Sequence, residues 1–392
     1  MKKEPYSVIT ITIAFLLVLL LSFIPKLNLE KKILSEKHVK NSMNTIALSI
    51  GDNYKEVNKR ELSSDIINVL YENKDTGDYK SFFIDKNSGE VLSYKKIFKN
   101  KSEDLFKEVE YRLLYEKYPK FIVEGIKNSD TKREVYLKNN SLVILYSNVI
   151  TDPVCTDKLT LTINFNEISN LLNFDHDLDE EYQNESGYDY DETKKYIAFT
   201  FDDGPNKKNT NDIVNYLNDN KMRATFFMVG NLMASNPDIV KNVYDNKMEI
   251  GSHSWAHKNL KKQKIEEITT EMEQTDNIYN SITGDTLKLM RPPYGAINEK
   301  VKETFNYSYI LWNVDTNDWK YKDEKHLYDF VINNVEDGDI VLMHDLQYTT
   351  KLGIEKILPE LYVRGYRVVT VSELANIKGK TLETNKSYKS MK

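Results

Sequence analysis

From Lys195 onward the chain alternates short apolar segments with segments of helical periodicity, and this alternation restricts the possible folds more than any other feature. Seven segments have the composition of buried strands: Ile197–Phe201, Ala224–Val229, Met248–Gly251, Lys288–Arg291, Tyr309–Val314, Ile340–Met343 and Arg367–Val371. Helical spacing separates them, as in Ile213, Val214 and Leu217. Strands that alternate with helices form a parallel sheet with right-handed crossovers. We therefore expect an α/β domain over residues 194–376, built as a distorted (β/α)7-type barrel.

Polar residues that could do chemistry follow five of these segments directly. The five groups are Asp202 and Asp203, His253 and His257, Arg291 and Tyr294, Asp318 and Trp319, and His344 and Asp345. In a (β/α) barrel the carboxyl ends of the strands form one face, and that face carries the active site. The sequence therefore predicts that separate segments deliver these polar groups to one place.

A metal site can be assembled from three of these residues. His253 and His257 lie four positions apart, so on a helical turn both imidazoles would face the same way. A carboxylate from Asp203 completes a set that leaves room for water and substrate, as in catalytic zinc sites. Asp202, beside that ligand, could act as a general base toward water. An Asp-Asp pair alone is usually a turn or a cap, so the hypothesis depends on the joint pattern.

The ordered motifs resemble those of the polysaccharide deacetylases, carbohydrate esterase family 4. The matching segments are Thr200-Phe201-Asp202-Asp203-Gly204-Pro205, His253-Ser254-Trp255-Ala256-His257, Arg291-Pro292-Pro293-Tyr294-Gly295, Asp318-Trp319 and Leu342-Met343-His344-Asp345. The resemblance covers about residues 194 to 376. It implies that Asp203, His253 and His257 bind a divalent metal, either zinc or a substitute such as cobalt or manganese.

The resemblance also implies an acid and a base. Asp202 is the expected general base, oriented by Arg291. His344 is the expected general acid that protonates the leaving amine, and Asp318 is expected to tune it. This assignment fits the chemistry, because expulsion of an amine requires a proton.

Three further residues are expected on the substrate side of the site. The resemblance implies that Tyr294 supplies a backbone N–H to the oxyanion, and that Trp319 and Leu342 wall the acetyl pocket. A tetrahedral oxyanion does require such N–H stabilisation.

The region before residue 175 lacks the regular alternation of strands and helices seen after Lys195. Residues 27–45 have the pattern of a polar helical stalk, and residues 27–174 as a whole predict a small α+β domain. The string Phe83–Leu92 resembles the small domain of unknown function found ahead of some bacterial peptidoglycan deacetylases. This region has no cluster of histidine, cysteine and carboxylate at ligand spacing, which favours a binding or spacer role.

Two charged segments flank the expected catalytic domain. Residues 175–193 are rich in Asp and Glu with almost no aliphatic residues, which predicts a solvated linker. A calcium site there is the alternative, but the spacing of an EF-hand loop is absent. Residues 377–392 are rich in lysine, and from Lys378 on we expect a disordered tail.

The first 26 residues predict a membrane segment. Lys2 and Lys3 precede an uncharged run from Pro5 to Pro25, and an apolar helix of that length can just span the hydrocarbon core. A cleaved signal peptide is the alternative, but the small-residue cleavage site typical of such peptides is missing. We expect a single-pass anchor that leaves the catalytic domain outside the cell.

Composition excludes several classes of function. A net charge of −6 and a pI of about 5.7 argue against a nucleic-acid partner, which requires a basic surface. The single cysteine, Cys155, excludes an internal disulfide framework and a cysteine-based zinc site. We expect an enzyme that removes N-acetyl groups from peptidoglycan amino sugars, with N-acetylglucosamine favoured. The alternatives are deacetylation of a chitin-like polymer, poly-N-acetylglucosamine or an acetyl ester, hydrolysis of a cyclic imide, and non-catalytic binding of the cell wall.

Overall fold

The computed structural model describes residues 28, 30–62, 64–99, 102–127, 131–138, 141–151, 154–172 and 193–392. Its contacts form two compact units. Described residues of the first come from 28–116, 132–147 and 158–172, and those of the second from 117–131, 148–157 and 193–392. The expected membrane segment and all but the last residue of the expected linker lie outside the described residues. The domain boundaries drawn from the sequence remain predictions, and within the described ranges no helix is long and apolar enough to cross a membrane.

The first unit combines helices with antiparallel sheets. Up to residue 172 the elements in chain order are α1 (30–50), β1 (Tyr54–Glu61), β2 (Ile66–Asn73), β3 (Tyr79–Asp85), β4 (Val91–Leu92), a 3-10 turn (Tyr94–Ile97), α2 (Ser102–Lys117), α3 (Lys120–Ile126), β5 (Lys132–Lys138), β6 (Ser141–Thr151), β7 (Val154–Asn164) and α4 (Phe165–Ile168). Helix α3 belongs to the second unit. The strand orders are β1-β2-β3-β4 and β5-β6-β7.

Helix α1 is more than the polar stalk expected from the sequence. Its Val39 and Ile46 are buried, and they share a core with Val69 and Ile84 of the first sheet. The helix also extends to residue 50. The stalk interpretation was wrong because two apolar residues seven positions apart lie on one helix face and bury it.

The second unit carries the alternating strands and helices. Its remaining elements are β8 (Lys195–Asp202), α5 (Thr210–Asp219), β9 (Thr225–Met228), α6 (Gly230–Ser235), α7 (Pro237–Asp245), β10 (Glu249–Ser252), a 3-10 turn (Leu260–Lys262), α8 (Ile265–Thr283), β11 (Leu289–Met290), a 3-10 turn (Pro293–Gly295), α9 (Glu299–Thr304), β12 (Ser308–Ile310), β13 (Val314–Asp315), α10 (Asp318–Tyr321), α11 (Glu324–Asn334), β14 (Ile340–His344), α12 (Tyr348–Val363), β15 (Tyr366–Val369), α13 (Val371–Ile377) and β16 (Ser387–Tyr388). The predicted alternation is confirmed, and β8 to β16 pair in parallel.

The parallel sheet curls into an incomplete barrel. The strand order is β13-β14-β8-β9-β10-β11-β12-β16, and β15 pairs with the first half of β8. Strands β12 and β13 lie near opposite ends of this order, yet only Leu311, Trp312 and Asn313 separate them in the chain. Such a link spans at most about 14 Å, so the two ends of the sheet must approach each other. No strand pairing in the described part of the chain closes the gap.

One predicted strand, Tyr309–Val314, is divided in two. The N–H of Leu311 donates to Tyr388 in β16, whereas the N–H of Asn313 donates to Ile340 in β14. The chain thus changes neighbours between these residues, which ends one strand and starts another.

The lysine-rich tail is ordered, contrary to the sequence-based expectation. Strand β16 pairs with β12, and Met391 is fully buried in a small core with Ile310 and Ile340. The N–H of Met391 also donates to the carbonyl of Gly338 at 2.7 Å. The expectation failed because the lysines gave the segment a solvated composition, while one apolar side chain anchors it.

Candidate metal and catalytic site

The residues singled out in the sequence meet at the carboxyl ends of the strands. Asp202 ends β8 and His344 ends β14, and these two residues are paired across the sheet. His253 and Arg291 come directly after β10 and β11. Asp318 opens helix α10, which follows β13. The parallel arrangement therefore brings five chain segments to one face, as the sequence predicts.

Asp203, His253 and His257 have the geometry of a metal-ligand set. Asp203 Oδ1 lies 3.3 Å from His253 Nε2 and 3.1 Å from His257 Nε2. Tetrahedral zinc ligands at bond lengths of about 2.0–2.2 Å are themselves about 3.3–3.6 Å apart. Asp203 Oδ1 is also buried without a hydrogen-bond donor, which suits an atom that binds a cation. Across the described ranges this is the one group of at least three histidine, cysteine or carboxylate side chains with ligand atoms within 4.8 Å.

Protonation states agree with this arrangement. Burial raises the pKa of the Asp203 carboxyl, but the neighbouring His253 and His257 imidazoles outweigh burial and hold that pKa well below its usual range. His253 Nδ1 lies 2.7 Å from the carbonyl oxygen of Arg291. A carbonyl can only accept, so Nδ1 carries the proton and Nε2 keeps its lone pair for a metal.

The two histidines converge through a strained loop. Residues 253–259 are not helical, so the helical turn expected from their spacing was wrong. Instead Ser254 and His257 adopt left-handed backbone angles, with φ of 61° and 53°, and Asp203 and Tyr294 do the same at 72° and 63°. Left-handed conformations in residues with side chains are costly and tend to cluster at functional sites.

A buried arginine holds Asp202. Arg291 Nη1 donates to Asp202 Oδ1 at 2.9 Å and to Thr200 Oγ1 at 2.7 Å. Its other donors bond to the carbonyls of Ile310 and Leu311 at 3.1 Å and 2.9 Å. The guanidinium is fully buried, and burial lowers its pKa while the Asp202 carboxylate opposes that shift. The other three hydrogen bonds hold the guanidinium in place, and the bond from Nη1 therefore fixes the direction in which the Asp202 carboxylate points.

His344 and Asp318 form a second hydrogen-bonded pair. His344 Nδ1 donates to Asp318 Oδ1 at 2.7 Å, which leaves Nε2 as the nitrogen available to a substrate. The other Asp318 oxygen accepts from the backbone N–H of His344 at 2.8 Å and from Thr350 Oγ1 at 2.7 Å. Burial lowers the pKa of the His344 imidazole, but the hydrogen bond to Asp318 and the charges of Asp318, Asp202 and Asp203 raise it to about 9.

The three residues expected on the substrate side occupy different environments. Tyr294 is exposed in the 3-10 turn after β11, and its ring lies 4.8 Å from the ring of His257. Trp319, next to Asp318, is half-exposed. Leu342 is buried within β14, two residues before His344. Their proposed contacts with an acetyl group stay predictions.

Three supporting residues were assigned no individual role from the sequence. Burial raises the pKa of the Asp345 carboxyl to about 7, against a hydrogen bond from Thr210 that lowers it. Thr350 holds Asp318, and Glu271 accepts a 2.7 Å hydrogen bond from the N–H of Ala256 in the histidine loop. Asp345 lies in the Leu342-Met343-His344-Asp345 motif. Thr350 and Glu271 lie in helices α12 and α8, where no neighbouring sequence motif indicates a role in the site.

These features together define a (β/α) barrel whose strand-end face groups a candidate metal-ligand set with two further polar pairs. Residues 189–309 match the polysaccharide deacetylase family. A peptidoglycan-N-acetylglucosamine deacetylase of Bacillus cereus is 37% identical over 193 residues, which cover 47% of this chain and 90% of that protein. The chain belongs to the polysaccharide deacetylase family.

Two longer relatives are named as deacetylases of different peptidoglycan sugars. The peptidoglycan-N-acetylglucosamine deacetylase PgdA of Listeria monocytogenes is 39% identical over 196 residues, 50% of this chain and 41% of that protein. The peptidoglycan-N-acetylmuramic acid deacetylase PdaC of Bacillus subtilis is 37% identical over 188 residues, 48% of this chain and 40% of that protein. The solved structure of PdaC has a TM-score of 0.48 at 36% identity and covers 48% of this chain and 94% of its own. The chain thus spans about two fifths of the length of these two relatives.

Proposed function

We propose that this chain is a divalent-metal-dependent N-deacetylase of cell-wall peptidoglycan, acting on N-acetylglucosamine and releasing acetate. The observation that carries the proposal is one face on which the Asp203, His253 and His257 set lies beside two further polar pairs. Asp202 with Arg291 and His344 with Asp318 provide the two proton-transfer groups that amide hydrolysis requires. The peptidoglycan deacetylases among its relatives support the choice of substrate.

Asp203, His253 and His257 would hold the metal, with zinc the favoured ion and cobalt or manganese possible substitutes. When bound, a divalent cation polarises the acetyl carbonyl and makes water more acidic. The rest of the chemistry belongs to the side chains of this chain.

Asp202 takes a proton from the attacking water as a new C–O bond forms at the acetyl carbon. Arg291 keeps the carboxylate pointed at that position, because two backbone carbonyls fix the guanidinium that bonds to it. His344 Nε2 then gives its proton to the nitrogen as the C–N bond breaks, so that the products are acetate and a free amine. Asp318 stabilises the charged imidazolium before that transfer.

The remaining residues orient the acetyl group. The backbone N–H of Tyr294 is assigned to the developing oxyanion, since preorganised N–H donors stabilise charge that appears in the transition state. Trp319 and Leu342 are assigned to the walls of the acetyl pocket.

The location is part of the same proposal. A peptidoglycan substrate lies outside the cytoplasmic membrane, and the apolar run from Pro5 to Pro25 is long enough to anchor the chain there. We assign residues 1–26 to the cytoplasmic start and the anchor, and place the rest outside the cell.

Product analysis tests the proposed activity. Purified protein comprising residues 28–392 should release acetate and expose free amines on peptidoglycan fragments, with mass spectrometry locating each amine on a specific sugar. Chitin oligomers and acetylated xylan serve as comparison substrates, since other acetylated polysaccharides are the alternative. Acetate from acetylated xylan alone would favour the alternative, and no acetate from any substrate would contradict a catalytic role.

A further inference from the structure

A groove of about 970 Å³ lies beside the candidate catalytic residues and has no role in the chemistry described so far. Its lining includes Pro205, Lys207, Lys208, Asn209, Leu346 and Tyr348. Pro205 is two residues from the metal-ligand candidate Asp203, and Leu346 is two residues from His344. Two residues of chain span at most about 7 Å, so the groove adjoins the site directly. A polymer that reacts at the site must continue past it, and the groove offers that path.

The loop that bears the two lysines is held in place. The buried side chain of Asn209 donates to the carbonyls of Asp345 and Leu346, both at 3.0 Å. Asn206 Oδ1 accepts the N–H groups of Lys208 and Asn209 at 2.9 Å and 3.2 Å. These bonds tie the lysine loop to the His344 loop, so the groove keeps one shape relative to the site.

The groove is positively charged in a protein whose net charge is −6. Its lining contains Lys207 and Lys208 and no acidic residue. Within the described part of the chain, no carboxylate forms an ion pair with either ammonium group. The nearby Lys351, by contrast, pairs with Glu355 at 3.2 Å. Two uncompensated ammonium groups on a fixed loop favour an anionic ligand.

The edge of the groove suits a sugar. Tyr348 opens helix α12 with 60% of its surface exposed, and Leu346 beside it is 37% exposed. An exposed aromatic face next to polar side chains can stack on the apolar face of a sugar ring while its hydroxyl stays solvated. The anion should therefore be attached to a sugar.

We propose that this groove binds the carboxylate-bearing peptide branch on the sugar adjacent to the one that is deacetylated. Lys207 and Lys208 recognise the carboxylates of the branch, and Tyr348 supports the sugar ring that carries it. The proposal rests on the proposed function, and it makes peptide-bearing peptidoglycan a better substrate than a neutral glycan of equal length.

A matched pair of substrates tests the inference. One is a peptidoglycan tetrasaccharide with free carboxylates on its peptide branches, and the other is the same fragment with those carboxylates amidated. The unmodified protein should have the higher kcat/KM on the acidic fragment. Lys207→Gln/Lys208→Gln should lower the ratio of the two kcat/KM values by about 5- to 30-fold at low salt, mainly through KM. High salt should lower the same ratio in the unmodified protein.

A control variant carries the same change in charge on the opposite end of the sheet. Lys221 and Lys247 are exposed and precede the amino ends of β9 and β10. Lys221→Gln/Lys247→Gln should leave the ratio unchanged. Equal kcat/KM values for the two fragments in the unmodified protein would overturn the inference. An equal effect of the two double variants on the ratio would overturn it as well. Absence of acetate from both fragments would instead overturn the proposed function.

Discussion

At the scale of single residues, the protonation of His344 decides whether the proposed acid can work. Its pKa is raised to about 9 because Asp318 and the nearby carboxylates outweigh burial. An imidazolium with a raised pKa keeps its proton to higher pH, so activity that needs the charged form is present below that pKa and is lost as pH rises through it. A cation bound by Asp203 would offset part of this shift, so the alkaline limb of the metal-loaded protein should lie below pH 9.

Asp318→Asn isolates the contribution of the partner carboxylate. Without that charge the pKa of His344 falls, and the alkaline limb of kcat/KM should move to lower pH by about 1–3 units. Asp238→Asn, an equal change in charge at an exposed position of helix α7, should leave the limb in place. If the alkaline limb of kcat/KM stays in place in Asp318→Asn, then His344 is not the group whose proton the reaction requires.

At the scale of elements, the turn after β8 is packed so closely that only glycine fits at one position. A Cβ on Gly204 would lie 2.6 Å from Oδ1 and 2.8 Å from Cγ of the buried Asp345. Gly204→Ala should therefore lower the free energy of unfolding by about 1–3 kcal/mol and weaken zinc binding, because Asp203 is the adjacent residue. Denaturant titration and competition with a zinc chelator measure the two effects.

The double variant Gly204→Ala/Asp345→Ala shows whether this contact is the cause. Removing the carboxylate makes room for the new methyl group, so the two losses should be less than additive by at least about 0.5 kcal/mol. Additive losses would mean that Gly204 is needed for some other reason.

The C-terminal segment around β16 provides a separate test, because the sequence predicted no ordered structure there. Met391→Ala should lower the free energy of unfolding by about 2–4 kcal/mol, since the side chain is fully buried. Lys389→Ala, two residues away and exposed, should cost about 0.5 kcal/mol or less. Equal effects of the two changes in thermal or denaturant unfolding would contradict the anchoring role of Met391 and would favour the disordered tail expected from composition.

The elements also show which parts of the fold and of the candidate site can be predicted from the sequence. Apolar runs followed by Asp202, His253 and His344 placed these residues on one face, because parallel strands present their carboxyl ends together. The left-handed backbone at Ser254 and the buried Met391 could not be predicted, because both depend on contacts with distant parts of the chain. The supports from Thr350 and Glu271 were missed for the same reason.

At the scale of the whole molecule, the proposal joins an extracellular reaction to a predicted membrane anchor. In cells stripped of their wall, added protease should reach the domain that holds Asp203, while the residues before Pro5, which we propose to be cytoplasmic, should be protected. A tag at each end of the chain reports the two results separately. Protection of the catalytic domain, with a surface control cleaved, would place the domain inside the cell.

The central claim is that Asp203, His253 and His257 hold a divalent metal on which deacetylation depends. Acetate release by chelator-treated protein, measured as zinc is added back in known amounts, tests it most directly. We predict almost no acetate before zinc is added and a rise that saturates near one zinc per chain, with His257→Ala needing much more zinc. Full acetate release from protein shown to be metal-free would contradict it.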